Sequence, residues 1–215
     1  MRAPTAARFL IDAEWSILQS VFDDTLPFRY RILITDALGG GNRPFTIPTS
    51  ALSVLTIPAA AESAFNGFVM SKLGGAGEVI SDVANYVGIT GAASTISQWA
   101  GTVNLGYLVS VGPTHYPNMA SSAPNLLVHE LAHVWQGSNS YSSMSYVNNS
   151  IMEQCRAIGT SSSHGGAYAY TPGQNWHTYN AEEQASIIED WYASGMPQSG
   201  DLWPYIRDYV RRGRA

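Results

Sequence analysis

Apolar positions recur first at helical spacing and then at strand spacing along this chain. Over residues 9–21, Leu10, Trp15, Leu18 and Val21, with Phe22 just beyond, share one side of a 3.6-residue repeat, and Asp23-Asp24 marks a stop. The run Tyr30-Arg31-Ile32-Leu33-Ile34-Thr35 is rich in β-branched residues and precedes Gly39-Gly40-Gly41, the pattern of a strand leaving into a loop. Two more strands are predicted at 45–47 and 52–57, bracketed by Pro44, Pro48 and Pro58. A helix at 59–73 carries Phe65, Phe68, Val69 and Leu73 on one side and ends at Gly74-Gly75. Tyr107-Leu108-Val109-Ser110-Val111 reads as a further strand. The last third reads as helices at 124–136, 145–158, 181–193 and 201–212. A Ser/Gly/Tyr-rich loop at 159–179 separates the second of these from the third, and loops of that length in compact domains usually carry function or move. Strand signals come early, helix signals late, and no repeat is visible. This predicts one α+β domain over 1–215, a small N-terminal sheet with a mainly helical C-terminal half.

Composition narrows the functional classes. The chain of 215 residues is 45% hydrophobic but only 13% charged, with a net charge of -5 and a single lysine, Lys72. An acidic balance with pI near 5.4 lacks the basic face that nucleic acid requires. Cys155 is the one cysteine, so no internal disulfide forms and a reducing compartment is expected. The apolar runs fall short of the roughly 20 residues needed to span a bilayer, so no stable membrane insertion is expected. Asp12 and Glu14 interrupt the N-terminus, which argues against a signal peptide. Synthesis in the cytoplasm is therefore expected, with any export through a dedicated secretion or injection system. From Val83 to Val128 there is no Asp, Glu, Lys or Arg; this reads as an interior-facing, small-residue segment, with a membrane-active segment as the rival. Arg207, Arg211, Arg212 and Arg214 read as a solvated helix end.

One motif carries chemistry. Leu126-Leu127-Val128-His129-Glu130-Leu131-Ala132-His133-Val134-Trp135-Gln136 contains H-E-x-x-H. On a helix, residues i and i+4 lie one turn apart on the same face, so two imidazoles can converge on one Zn²⁺. Glu130 points to the side, where it can take a proton from a water activated by the metal. Pro124 after Ser121-Ser122 suits a helix start and Gly137 a helix end. Leu127, Val128, Leu131, Val134 and Trp135 form the apolar face, with His129 and His133 on roughly the opposite side.

A catalytic zinc needs a third protein ligand and an open position. The downstream candidates are Glu153, His164, His177, Glu182, Glu183, Glu189 and Asp190, and the carboxylate-rich 181–192 helix is favoured. Helical angles do not separate Glu182 from Glu183. The glycine turn after His133 leads to Ser and Asn rather than to a third histidine, which disfavours three-histidine sites. Donors for a developing oxyanion include Tyr168, Tyr170, Tyr179, His164 and His177.

These residues also carry a resemblance. HELAHVWQ resembles the HE-[LM]-[TA]-H-V-[WV]-Q helix of the zincin-like metallopeptidase domains of bacterial polymorphic and Rhs-type toxins and tail-delivered effectors. Tyr168-Ala169-Tyr170 and the run from Trp176 to Tyr192 are similar to that family's Y-x-Y…F-x-x-Y-N-x-E-Q-Q-A-x-I-x-x-D-[YW]-[YF] signature. Val21-Phe22-Asp23-Asp24-Thr25-Leu26 and the run from Gly39 to Pro48 fit it as well. The match is dense over 126–192, while 74–101 matches nothing in it. Aligning E-Q-Q-A on Glu182-Glu183-Gln184-Ala185 implies Glu182 as the third ligand. Ser186 lies four residues after Glu182, so the E-x-x-x-D of thermolysin-like enzymes is absent. The resemblance implies a gluzincin-type fold, Zn²⁺ as cofactor, a protein or peptide substrate and a secretion or injection apparatus as partner. It also implies that the 107–111 strand is a sheet edge for an extended substrate. The competing expectations are a catalytically silent zincin-fold binding or cargo module and a membrane-perturbing toxin built on residues 83–128.

Overall fold

The computed structural model describes residues 5–38, 43–49, 105–140 and 169–215; the strand expected at 52–57 and the helices expected at 59–73 and 145–158 lie outside the described residues. Among the described residues the fold is mixed α/β, with a four-stranded sheet and several helices, compatible with the α+β expectation. It divides into two compact units. One draws on Met1–Phe9 and Tyr30–Tyr116, the other on Leu10–Arg29 and Pro117–Ala215.

The first unit holds the sheet, made of β1 (Ala7–Phe9), β2 (Ile32–Thr35), β3 (Phe45–Pro48) and β4 (Tyr107–Ser110) in the order β1-β2-β4-β3. β1 runs antiparallel to β2, β2 parallel to β4, and β3 antiparallel to β4. Every residue of β2 and β4 is buried, which explains their near-continuous apolar sequences. The register partners Thr35 and Ser110 share a hydroxyl hydrogen bond of 2.9 Å in this buried layer. Asp36, just past β2, accepts from the backbone N–H of Thr5 at 2.6 Å and of Ala6 at 2.8 Å, which holds β1 in place. The edge-strand expectation is corrected here. β4 is paired on both sides, so a substrate cannot add to it, and β1 and β3 occupy the outer positions among the described residues. After β4 the chain turns at Gly112 into the short helix α2 (Gly112–His115). Its φ of +76 and a Leu38 methyl 2.8 Å from where a Cβ would stand leave room only for glycine.

The second unit is helical: α1 (Asp12–Phe22), α3 (Met119–Ser122), α4 (Pro124–Asn139), α5 (Ala181–Ala193) and α6 (Trp203–Asp208). α1 begins later than the spacing predicts, because Phe9 belongs to β1. It buries Leu18, Val21 and Phe22 and stops at Asp23, whose φ of 52 cannot continue a helix. The buried Glu14 accepts from the N–H of Ile11 at 3.1 Å and of Met119 at 2.9 Å, so one carboxylate serves the starts of α1 and α3.

α4 is the centre of this unit, and α1, α3 and α5 pack on it. All residues from Leu127 to Gly137 are buried. The side of α4 that carries His129 and His133, opposite its apolar face, is covered by α5, whose side chains satisfy it. α4 also runs past Gly137 to Asn139, because the Asn139 amide donates to the carbonyls of Thr25 and Trp135, both at 2.9 Å. The Trp135 indole N–H donates to Thr25 Oγ1 and the Val210 carbonyl, both at 3.1 Å. Truncating such a buried tryptophan costs about 3–5 kcal/mol.

The helix expected over 201–212 is instead α6 followed by a separate 3-10 turn at Val210–Arg212. Nor is its arginine cluster uniformly solvated. Arg211 lies over the rings of Trp191 and Trp203 at 5.5 and 5.6 Å and donates to the carbonyls of Ser20 and Val21. The uncharged stretch likewise departs from a purely interior reading, since Pro113, Thr114, Ser121 and Ser122 are exposed. No helix among the described residues is long and apolar enough to cross a membrane.

Candidate metal centre

α4 and α5 each bring part of one site. His129 and His133 stand one turn apart on α4, with ring centroids 5.1 Å apart and ring planes at 83°. Local sequence sets the facing carboxylate. Asn180 caps α5: its side chain accepts from the Glu183 N–H at 2.9 Å, and the Glu183 carboxylate accepts from the Asn180 N–H at 2.8 Å. This reciprocal cap occupies Glu183 and leaves Glu182, one residue earlier, to face α4. A single oxygen, Glu182 Oε2, lies 3.3 Å from His129 Nε2 and 3.5 Å from His133 Nε2.

Both rings are held from behind. Glu189 Oε2 lies 3.0 Å from His129 Nδ1, and Gln136 Oε1 lies 2.9 Å from His133 Nδ1. Glu189 follows Glu182 by two helical turns, so α5 places one carboxylate on each nitrogen of His129.

Burial opposes charge on these groups, yet mutual attraction prevails. Desolvation lowers the His129 pKa, but hydrogen bonds to Glu182 and Glu189 and the nearby charge of Glu130 push it up to about 10. His133 is also raised, burial being outweighed by Glu182, with Glu130 adding to the effect. Burial would raise Glu182, but the two imidazoles hold it far below the usual carboxylate range. Glu130 is buried, and its charge acts on both rings.

His129, His133 and Glu182 can hold a metal ion: one ligand atom from each lies within 4.8 Å of the others. Two imidazole nitrogens and a carboxylate oxygen are donors that divalent first-row metals take. Bonds of about 2.0–2.1 Å in a tetrahedron place ligand atoms roughly 3.3–3.4 Å apart. The separations from Glu182 to the two rings, 3.3 and 3.5 Å, fit that requirement. The hydrogen-bonded Nδ1 atoms add the outer partners that ligating histidines ordinarily have.

The other predicted site residues have separate tasks. Asp190 accepts from the Tyr170 hydroxyl at 2.7 Å, which with burial raises that phenol's pKa. Tyr179 donates to the Thr171 carbonyl at 2.6 Å and shares a 3.0 Å hydrogen bond with the Tyr205 hydroxyl. His177 sits edge-on to Tyr209 in a 3-10 turn at Trp176–Thr178. These four make local packing and hydrogen-bond contacts rather than contacts with the metal ligands. Glu153, His164 and Tyr168 lie outside the described residues. Sequence reasoning weighed Glu189 only as a ligand and did not single out Gln136 or Gln184. The signals for two of them were present: Gln136 is three residues after His133, and Glu189 seven after Glu182. No protein-family model, curated protein or solved structure matches the chain.

Proposed function

We propose that this chain is a zinc-dependent, zincin-like metallopeptidase, with His129, His133 and Glu182 as the zinc ligands and Glu130 as the general base. The observation that carries the reading is the convergence of a histidine pair from α4 and a carboxylate from α5, with the buried Glu130 of α4 near enough for its charge to act on both histidines. Zinc, when bound, supplies Lewis acidity that lowers the pKa of water towards about 7 and polarises a carbonyl. Glu130 takes a proton from the attacking water and delivers it to the leaving amine nitrogen as the C–N bond breaks. Glu189 and Gln136 keep the imidazoles oriented with Nε2 forward. The similarity of HELAHVWQ and the 168–192 run to toxin and effector metallopeptidases makes a secreted bacterial effector acting on protein or peptide the favoured setting.

Metal analysis of purified parent, His133→Ala and Glu130→Gln, followed by a peptide-library digest, tests this. The parent is expected to carry one zinc and cleave peptides; His133→Ala is expected to lose the metal. Glu130→Gln is expected to retain it while losing about 10²–10⁴-fold in rate. The proposal fails if His133→Ala binds metal like the parent, or if Glu130→Gln cleaves like the parent. The burial of His129, Glu130 and His133 favours a second reading, a silent zincin-fold module with a closed site. Zinc binding without cleavage of any library peptide selects that reading.

A further inference from the structure

Gln136 joins the two helices of the metal centre through one side-chain amide. It is fully buried on α4. Its oxygen faces His133 Nδ1 at 2.9 Å, while its nitrogen donates to the Ala181 carbonyl and to Gln184 Oε1, both at 2.9 Å. Gln184 in turn donates from Nε2 to the Trp176 carbonyl at 3.1 Å.

The direction of this chain of hydrogen bonds is fixed at its far ends. A backbone carbonyl only accepts, so the Ala181 carbonyl requires the nitrogen of Gln136 to face it. The Trp176 carbonyl imposes the same on Gln184, which turns the Gln184 oxygen towards Gln136. Two anchors thus agree independently: the nitrogen of Gln136 faces α5 and its oxygen faces His133. An amide oxygen only accepts, so His133 Nδ1 must carry a proton. In the neutral ring the lone pair is then on Nε2, the atom 3.5 Å from Glu182. Reversing Gln136 would set acceptor against acceptor in a buried site, where unpaired polar groups are costly.

We propose that Gln136 is a positioning residue that sets the tautomer of His133 and ties it to the backbone beside Glu182, so that ligands from two helices are aligned before a metal arrives. This rests on the reading of His129, His133 and Glu182 as ligands. The two histidines are then controlled differently. His129 is backed by a carboxylate, whereas His133 is backed by a neutral relay that reports the position of the Trp176–Ala181 backbone.

The test reads metal binding rather than hydrolysis. Zinc affinity is measured by competition with a chromophoric chelator for the parent, Gln136→Leu, Gln136→Glu and Gln184→Leu, with circular dichroism to verify folding. In the cadmium-loaded parent labelled with ¹⁵N-histidine, ¹¹³Cd–¹⁵N coupling identifies the ligating nitrogen. Gln136→Leu is expected to bind zinc about 10–100-fold more weakly. Gln136→Glu is expected to lose at least as much, although a carboxylate is the stronger acceptor for Nδ1–H, because it sets an acceptor against Ala181 and Gln184. Gln184 bonds to Gln136 and Trp176 rather than to a ligand, so Gln184→Leu is expected to show a smaller loss, which keeps the test alive if the Gln136 variants do not fold. Cadmium is expected on Nε2 of His133. Coupling to Nδ1, parent-like affinity in Gln136→Glu, or parent-like affinity in both leucine variants overturns the proposal. A parent that binds no zinc sinks the metal site itself, whereas a zinc-binding parent with indifferent glutamine variants sinks only the relay.

Discussion

Glu189→Gln separates the orientation of His129 from the charge behind it. Glu189 Oε2 lies 3.0 Å from Nδ1, on the far side of the ring from the Nε2 atom that faces Glu182. An amide of the same shape still offers an oxygen to Nδ1–H, so the ring keeps its orientation and only the charge is lost. Hydrogen bonds involving a charged group contribute about 1.5–3 kcal/mol and neutral ones about 0.5–1.5 kcal/mol, a difference near 1 kcal/mol. The Glu189 side chain is 31% exposed, and solvent screening holds the loss towards the low end. Since about 1.4 kcal/mol is a tenfold change, Glu189→Gln is expected to weaken zinc binding about three- to tenfold. Glu189→Ala, which also removes the acceptor, is expected to weaken it about 10–100-fold. Chelator competition at low and high salt measures both. The penalty of the glutamine variant should shrink as salt rises, whereas most of the alanine penalty should persist. Parent-like affinity in Glu189→Ala would refute the reasoning, and so would a glutamine variant as impaired as the alanine one.

Stability of the chelator-treated protein should depend on pH through the same cluster. His129, raised from 6.5 to about 10, contributes stability that is complete below about pH 6.5 and is lost as pH rises towards 10; Glu182, lowered from 4.5, contributes above pH 4.5 and loses its effect in acid. Thermal melts in chelator should therefore peak between pH 4.5 and 6.5 and decline towards alkaline pH, and a melting temperature that rises on that side contradicts the assignment. Asn180→Ala removes the cap of α5 and should cost about 1 kcal/mol in urea unfolding, with a parallel loss of zinc affinity because Glu182 follows that cap. Arg211→Met keeps an apolar reach over Trp191 and Trp203 but loses the bonds to Ser20 and Val21; a cost of about 1–2 kcal/mol in urea unfolding is expected, and an unchanged midpoint argues against that tie.

The histidine pair was legible in the sequence because i, i+4 spacing on a helix leaves little freedom. The choice between Glu182 and Glu183 was also within reach, since Asn180-Ala181-Glu182-Glu183 places a capping residue three before a glutamate and so assigns Glu183 to the helix start. Helical angles missed this because neighbouring positions differ too little without a fixed origin. β1 was not legible: Ala7-Arg8-Phe9 is three residues long and exists through pairing with a strand some 25 positions later. The same dependence on distant pairing hid the central position of β4. Tyr107-Leu108-Val109-Ser110 announces a strand, but which strands flank it is decided elsewhere in the chain. The spacing of Glu189 from Glu182 and of Gln136 from His133 was on view in the sequence, but not what the two side chains meet. Their roles arise only when α4 and α5 face each other.

The cap at Asn180 also fixes a rotational phase. Because α5 starts there and Glu182 sits in its first turn, one residue inserted between Asn180 and Glu182 would rotate that carboxylate by about 100° around the helix axis relative to the cap. An insertion at that point should therefore cost zinc affinity by separating the carboxylate from the cap that starts its helix.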